Sequence, residues 1–162
     1  MKIRIIGGCG SGKTFIAKQL SKQYGIPHFQ TDILVWNRTN NKKYPEEIRD
    51  RMLNEILERD SWILEGVHHK WGQKSFTEAN FIFIINPTIY IQNWRVIKRF
   101  IKTRFNLEDR NYTQDLKNLK AMIAWNRKYK RIDIKRILEL TTEHKNKRYI
   151  VKDNKEILKI LD

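Results

Sequence analysis

Residues 7 to 14 read GGCGSGKT, which places four glycines, one ammonium and two hydroxyls within eight positions, directly after the apolar Ile3, Ile5 and Ile6. Gly7, Gly12, Lys13 and Thr14 complete the G-x-x-x-x-G-K-[ST] spacing of a phosphate-binding loop. Glycine tolerates the backbone angles that turn successive N–H groups inward, so Gly7, Gly8, Cys9, Gly10, Ser11 and Gly12 can wrap an anion. The following helix adds the positive end of its dipole to that cradle. Lys13 supplies a mobile cation for the β and γ oxygens, and the Thr14 hydroxyl a hard ligand for Mg²⁺. The expected cofactors are therefore ATP and Mg²⁺. Cys9 occupies a variable position of the motif and reads as a bystander thiol.

Two carboxylates stand where phosphoryl chemistry would use them. Asp32 follows the short extended segment Pro27 to Gln30, and Glu65 ends the run Trp62-Ile63-Leu64. Asp32 is expected to bind an acceptor hydroxyl and take its proton, or only to orient the acceptor if the attacking atom is already a phosphate oxygen. Its competing reading is a turn or helix cap. Glu65 is expected to orient a metal-bound water, against a purely structural carboxylate. His68 and His69 match no metal-ligand spacing and read as a surface loop.

The elements that must hold these groups alternate along the chain. Ile16, Ala17, Leu20 and Tyr24 recur at helical spacing until Gly25 and Pro27. Pro27 to Gln30 reads as a second strand, and Trp36 with Arg38 as a polar connection. Pro45, Glu46 and Glu47 open a helix whose apolar face is Ile48, Met52, Leu53, Ile56 and Leu57. Trp62 to Gly66 is a third strand, and the unbroken apolar run Phe81 to Ile85 a strand covered on both faces. Asn86 and Pro87 read as the cap and first turn of a long helix with Tyr90, Trp94, Ile97 and Ile101 as its buried stripe. Arg95, Lys98, Arg99, Lys102 and Arg104 form its cationic side, and Asn106 to Thr113 resembles a flap. Further helices carry Leu116, Leu119 and Ile123, then Ile134, Ile137 and Leu138. Tyr149 to Val151 supplies a fifth strand, and Ile157, Leu158 and Leu161 a closing helix. This alternation argues for an α/β fold, a parallel sheet with helices on both faces. The tryptophans Trp36, Trp62, Trp71, Trp94 and Trp125 read as core or pocket wall.

A chain of 162 residues accommodates one domain. Its 33 Lys and Arg against 18 Asp and Glu give a formal charge of +15, which suits a phosphorylated small molecule, a nucleic acid or an acidic surface. A single cysteine excludes an internal disulfide framework, and no apolar run is long enough to span a bilayer. The expectation is a cytoplasmic protein with no membrane partner.

GGCGSGKT, the Asp32 and Trp36 pair, SWILEG at Ser61 to Gly66, and the helix bearing Trp94, Arg95, Lys98 and Arg99 together resemble the DNA topology modulation proteins, which group with the adenylate kinase-like P-loop kinases. That resemblance implies a three-layer fold around a five-stranded parallel sheet in order 2-3-1-4-5. It also implies an acceptor-binding region at about 32–60 and a basic lid at about 98–114, all within one domain over 1–162. Glu65 stands where the kinase pattern has aspartate, and the stretch from Asn106 to Thr113 offers only Arg110 to a lid. The implied activity is phosphoryl transfer from Mg-ATP to a small hydroxylated or nucleotide-like acceptor, with Lys13, Asp32 and Arg99 as catalytic residues and Thr14 and Glu65 at the metal. The alternative is a nucleotide-dependent DNA-binding protein. Lacking any DNA-reading motif, it would bind without sequence preference.

Overall fold

The computed structural model describes residues 1–37, 39, 42–104 and 115–161. Strand β1 (Lys2–Gly7) runs through the middle of a five-stranded sheet. It pairs in parallel with β5 (Trp62–Gly66) on one side and β6 (Phe81–Ile85) on the other. Outside these lie β2 (His28–Gln30), parallel to β5, and β7 (Arg148–Val151), parallel to β6. Counting only the strands of this sheet, the order is 2-3-1-4-5, the α/β arrangement expected. The connection containing Trp36 adds something the residues did not announce. Strands β3 (Trp36–Asn37) and β4 (Lys42–Lys43) form a small antiparallel ribbon, with the Lys43 ammonium 5.1 Å from the Trp36 ring centroid.

Side-chain alternation along β1 assigns the two faces. Ile3 and Ile5 join Ile16, Ala17 and Leu20 of α1 (Lys13–Tyr24) and Ile157 of α8 (Lys155–Leu161). Ile6 faces the other way, into Leu34 of α2 (Thr31–Val35), Leu53, Ile56 and Leu57 of α3 (Glu46–Leu57), Phe76 of α4 (Lys74–Glu78), and Ile134 and Ile137 of α7 (Ile134–Leu140). Arg4 shares this second face and is completely buried. Trp62 is also fully buried, as a core tryptophan should be.

The long helix α5 (Ile89–Arg104) overturns one expectation. Its buried residues are Gln92, Val96 and Thr103, whereas Tyr90 is 84% and Trp94 62% exposed, with Ile101 also in solvent. The inward stripe has to be slim and partly polar because the glycine loop lies directly against it. A Cβ placed on Gly10 would sit 2.6 Å from the Gln92 carbonyl oxygen and 3.1 Å from a Val96 methyl. Asn86 and Pro87 precede the helix rather than opening it. The Asn86 side-chain oxygen and the Pro87 carbonyl both accept from Lys130 Nζ, at 2.8 and 2.7 Å. Helix α6 (Leu116–Lys128) packs on α5 and passes through one π-helical turn, Tyr129–Asp133, straight into α7. The supposed lid thus divides: residues 98–104 are the last turns of α5, and 105–114 lie outside the described residues.

Substitutions on the two faces of α5 test which one supports the fold. Trp94→Ala is expected to change unfolding free energy by no more than about 0.5 kcal/mol. Val96→Ala, which deletes buried methyl groups, is expected to cost about 2 kcal/mol. Urea denaturation of both variants checks the order, and a larger loss at Trp94 would restore the outward stripe to the core.

Candidate functional site

Parallel pairing brings the carboxyl ends of β1, β2 and β5 to one edge of the sheet, where open α/β sheets hold ligands. From the end of β1 the chain folds into the glycine loop. Gly10 and Gly12 have φ of 76° and 91°, values that favour glycine. The Gly8 carbonyl accepts from the Ser11 N–H at 3.3 Å and from Lys13 Nζ at 3.3 Å, so the lysine lies folded across the loop. The Ser11 hydroxyl is buried inside it without a partner among the described residues.

Contacts from distant parts of the chain brace this loop. The Cys9 N–H donates to Asn126 Oδ1 at 3.1 Å, Arg95 donates to the Ser11 carbonyl at 3.3 Å, and Asn154 Nδ2 to the Gly12 carbonyl at 3.4 Å. Arg95 is in turn 3.7 Å from Asp153. Cys9 sulfur is 3.4 Å from an Arg99 nitrogen and 3.8 Å from Met122 sulfur. A cavity of about 220 Å³ opens over the loop, lined by Cys9, Gly10, Gly12, Lys13, Thr14, Phe15, Arg95 and Arg99. Lys13, Thr14 and Arg99 thus meet at one opening. Arg95 and Asn154 were not singled out for this role, and only the folded chain brings Asn154 to Gly12.

Thr14 and Glu65 also meet. The Thr14 hydroxyl donates to Glu65 Oε1 at 2.7 Å, although 51 residues separate them in sequence. Glu65 is almost completely buried, and burial alone pushes its pKa upward. The His28 imidazole, the Lys13 charge and the Thr14 hydroxyl outweigh burial, so the carboxyl titrates below its ordinary 4.5 and is ionised at neutral pH. His28 Nε2 is 3.8 Å from Glu65 Oε1, too long for a hydrogen bond, so we treat its effect as electrostatic. An ionised carboxylate touching a hydroxyl is a pair of hard oxygens, a donor set that fits Mg²⁺.

Asp32 belongs to the first turn of α2, and its carboxylate is 3.5 Å from His68 Nδ1. Thr31 Oγ1 is 2.9 Å from the same nitrogen. The histidines are not the surface loop expected. His69 is only 5% exposed, with Nε2 3.6 Å from Asp133 of the π turn. Burial pushes the His68 imidazole below 6.5, Asp32 opposing and Arg4, His69 and Arg49 adding to the shift. A second cavity of about 230 Å³ lies here, lined by Val67, His68, His69, Lys70, Trp71, Trp125, Tyr129 and Asp133. Trp71 and Trp125 are therefore pocket wall, as expected, while Trp36 and Trp94 are exposed. Tyr129 reaches from this cavity to the glycine loop: it lines the cavity, and its Cδ1 would lie 3.2 Å from a Cβ added to Gly8. Asn126, Tyr129 and Asp133 escaped the sequence reading because helical periodicity marks faces and says nothing about which distant loop they meet.

The lowered Glu65 pKa sets a sign for acid stability. Its contribution is complete above about pH 4.5 and disappears as pH falls through the lower folded value. Urea midpoints measured at several pH values from neutral to about pH 3 should show Glu65→Gln losing part of the wild-type slope in that acidic window. Parallel curves for the two proteins would mean that Glu65 titrates as it does unfolded.

Comparison with known proteins agrees with this architecture. Shikimate kinase from Bacteroides thetaiotaomicron superposes with a TM-score of 0.55 at 14% identity, over 95% of this chain and 86% of its own. Shikimate kinase from Acinetobacter baumannii, in complex with shikimate, does so with a TM-score of 0.54 at 14% identity, over 99% and 92%. At that identity the likeness is one of fold, and the fold is that of P-loop kinases. No curated protein is a significant sequence match. None of these similarities speaks to DNA topology. A family model described as an AAA domain matches residues 6–110, from the end of β1 past α5, and the chain belongs to that AAA domain family.

Proposed function

We propose that this chain is a kinase that transfers a phosphoryl group from Mg-ATP to a small hydroxylated or nucleotide-like acceptor. One observation carries the reading: Thr14, Glu65 and Lys13 converge at the glycine loop, and a second cavity has as one wall Tyr129, which packs against Gly8 of that loop. Phosphoryl transfer asks mainly for positioning and for charge compensation of the transferred oxygens. Both needs have residues here.

The amides from Gly8 to Thr14 and the Lys13 ammonium would hold the donor's phosphates, Lys13 leaving the Gly8 carbonyl to do so. Thr14 and Glu65 would hold the magnesium, Glu65 through water. The ion, when bound, neutralises phosphate oxygens. Arg99, already at the mouth of the loop cavity, would add positive charge beside the transferred group. The acceptor would enter the cavity behind Tyr129, where Asp32 at its edge binds the attacking hydroxyl and takes its proton. His68, held neutral by burial, can accept or donate a hydrogen bond there without adding charge. The acceptor-binding region at 32–60 and a lid that includes 98–104 remain part of this proposal. The shikimate bound by one structural neighbour is a reason to include hydroxylated acids among the acceptors tried.

The test is turnover of Mg-ATP against a panel of nucleotides, sugars and hydroxy acids, read as phosphorylated product by mass spectrometry. Lys13→Ala should lower product formation by roughly 10²-fold or more. Asp32→Asn should lower kcat by roughly 10²- to 10⁴-fold if the acceptor is a hydroxyl, and far less if it is a phosphate. No product from any acceptor would sink the kinase reading. The +15 charge favours a second reading, a nucleotide-dependent DNA-binding protein. A gel shift of duplex DNA that persists at physiological salt would support it, and unchanged mobility at micromolar protein would dismiss it.

A further inference from the structure

We propose that the second cavity takes an acceptor bearing a negative charge, and that Arg4, one layer beneath its lining, is the residue that selects for that charge. The idea rests on the kinase reading for the word acceptor; the anion preference itself stands on the surroundings of Arg4.

Arg4 occupies the central strand, opposite Leu64 on β5 and Ile82 on β6, and its side chain is completely buried. Among the described residues its hydrogen bonds go to main-chain carbonyls: Nη1 to Ile5 and Leu64 at 2.8 and 3.1 Å, and Nη2 to His68 at 2.8 Å. Nε has no partner among the described residues, and the Phe76 ring lies 5.6 Å from the guanidinium carbon. Among the described residues no carboxylate forms an ion pair with it. Burial lowers its pKa to about 10, which still leaves it charged at neutral pH. A buried cation without a counter-ion is expensive, and carbonyl dipoles offset only part of the cost.

Arg4 reaches the cavity behind His68 through the His68 carbonyl. His68, whose carbonyl Arg4 holds, and Tyr129 both line it, and the Tyr129 hydroxyl is buried without a partner among the described residues. Lys70 adds a cation to the same wall. The acidic groups nearby are already committed: Glu65, whose charge reaches Arg4, accepts from the Thr14 hydroxyl, Asp133 lies beside His69 and Asp32 beside His68. Arg49, with its guanidinium 4.7 Å from the Trp71 ring, is committed as well, to Asp50 and Glu46. Arg4 is thus a buried cation that, among the described residues, feels the Glu65 charge only at a distance and touches no carboxylate, and a carboxylate or phosphate on the ligand would supply the direct partner. The aromatic walls Trp71, Trp125 and Tyr129 suit a ring as the body of that ligand.

The test reads binding without turnover. With Mg-ADP added to fill the glycine loop, benzoate, phenyl phosphate and neutral benzamide are titrated separately into ¹⁵N-labelled protein. The indole N–H signals of Trp71 and Trp125 are followed, after assignment with Trp71→Phe and Trp125→Phe. At least one of the two anions should bind roughly tenfold or more tightly than benzamide, and the one that does names the anionic group. Arg4→Met should erase that preference with benzamide affinity unchanged, whereas Arg4→Lys, which keeps the charge and loses the carbonyl clamp, should retain most of it. Melting curves establish that each variant is folded; should Arg4→Met not fold, the wild-type preference and its retention in Arg4→Lys decide. Equal affinity for all three probes in the wild type would overturn the proposal, as would unshifted Trp71 and Trp125 signals. A uniform loss across probes in both variants would make Arg4 a structural clamp only. A chain that binds these anions yet never turns over ATP would fail as a kinase with this inference intact, and the reverse outcome is equally readable.

Discussion

The hydrogen bond from Thr14 to Glu65 is the constraint on which the functional end of this protein depends. It joins the first residues of a helix to the last residues of the strand beside β1 in the sheet, and it forms only because β1 and β5 are parallel and in one register. Ile5 stands opposite Glu65 and Ile6 opposite Gly66. Displacing β5 by one residue would turn Glu65 to the other face of the sheet and replace it with a leucine or a glycine. The buried apolar side chains of both strands, packed against helices on each face, oppose that displacement. Packing of the core therefore fixes the position of the charged group, and the glycine loop is anchored to it.

Much of this was legible in the chain. The loop spacing, the strands and the alternation of elements follow from local rules, because a parallel strand buried on both faces is continuously apolar and glycine marks the turns it alone makes easily. The long helix shows where such rules stop. Its sequence displays two faces, and periodicity cannot say which is inward when the neighbour is a tight loop rather than an open core. Close approach of Gly10 to Gln92 and Val96 demanded slim residues inside, and Trp94 and Tyr90 went outside. Transfer free energy alone would have chosen otherwise.

The second cavity was illegible for a related reason. Adjacent histidines after a strand look like a loop, and a lone arginine in a strand looks like an edge residue. Burial changes both. His69 and Asp133, 64 positions apart, come within 3.6 Å only after the π turn has been placed over the end of β5. Arg4 then loses contact with water altogether. What defines this region is an electrostatic imbalance, and imbalance is a property of the folded assembly, with no residue pattern to announce it.

The π turn between α6 and α7 ties these observations to motion. One continuous rod carries Asn126, whose amide oxygen holds the Cys9 N–H, then Tyr129, then Asp133 beside His69. A small axial twist of that rod would slide Asn126 along the loop and, in the same stroke, reshape the far chamber. The rod thus touches the glycine loop at one end and the far chamber at the other. Such widened turns cost helical regularity and are frequent at functional sites, and this one seats Tyr129 and Asp133 in the wall of the second cavity.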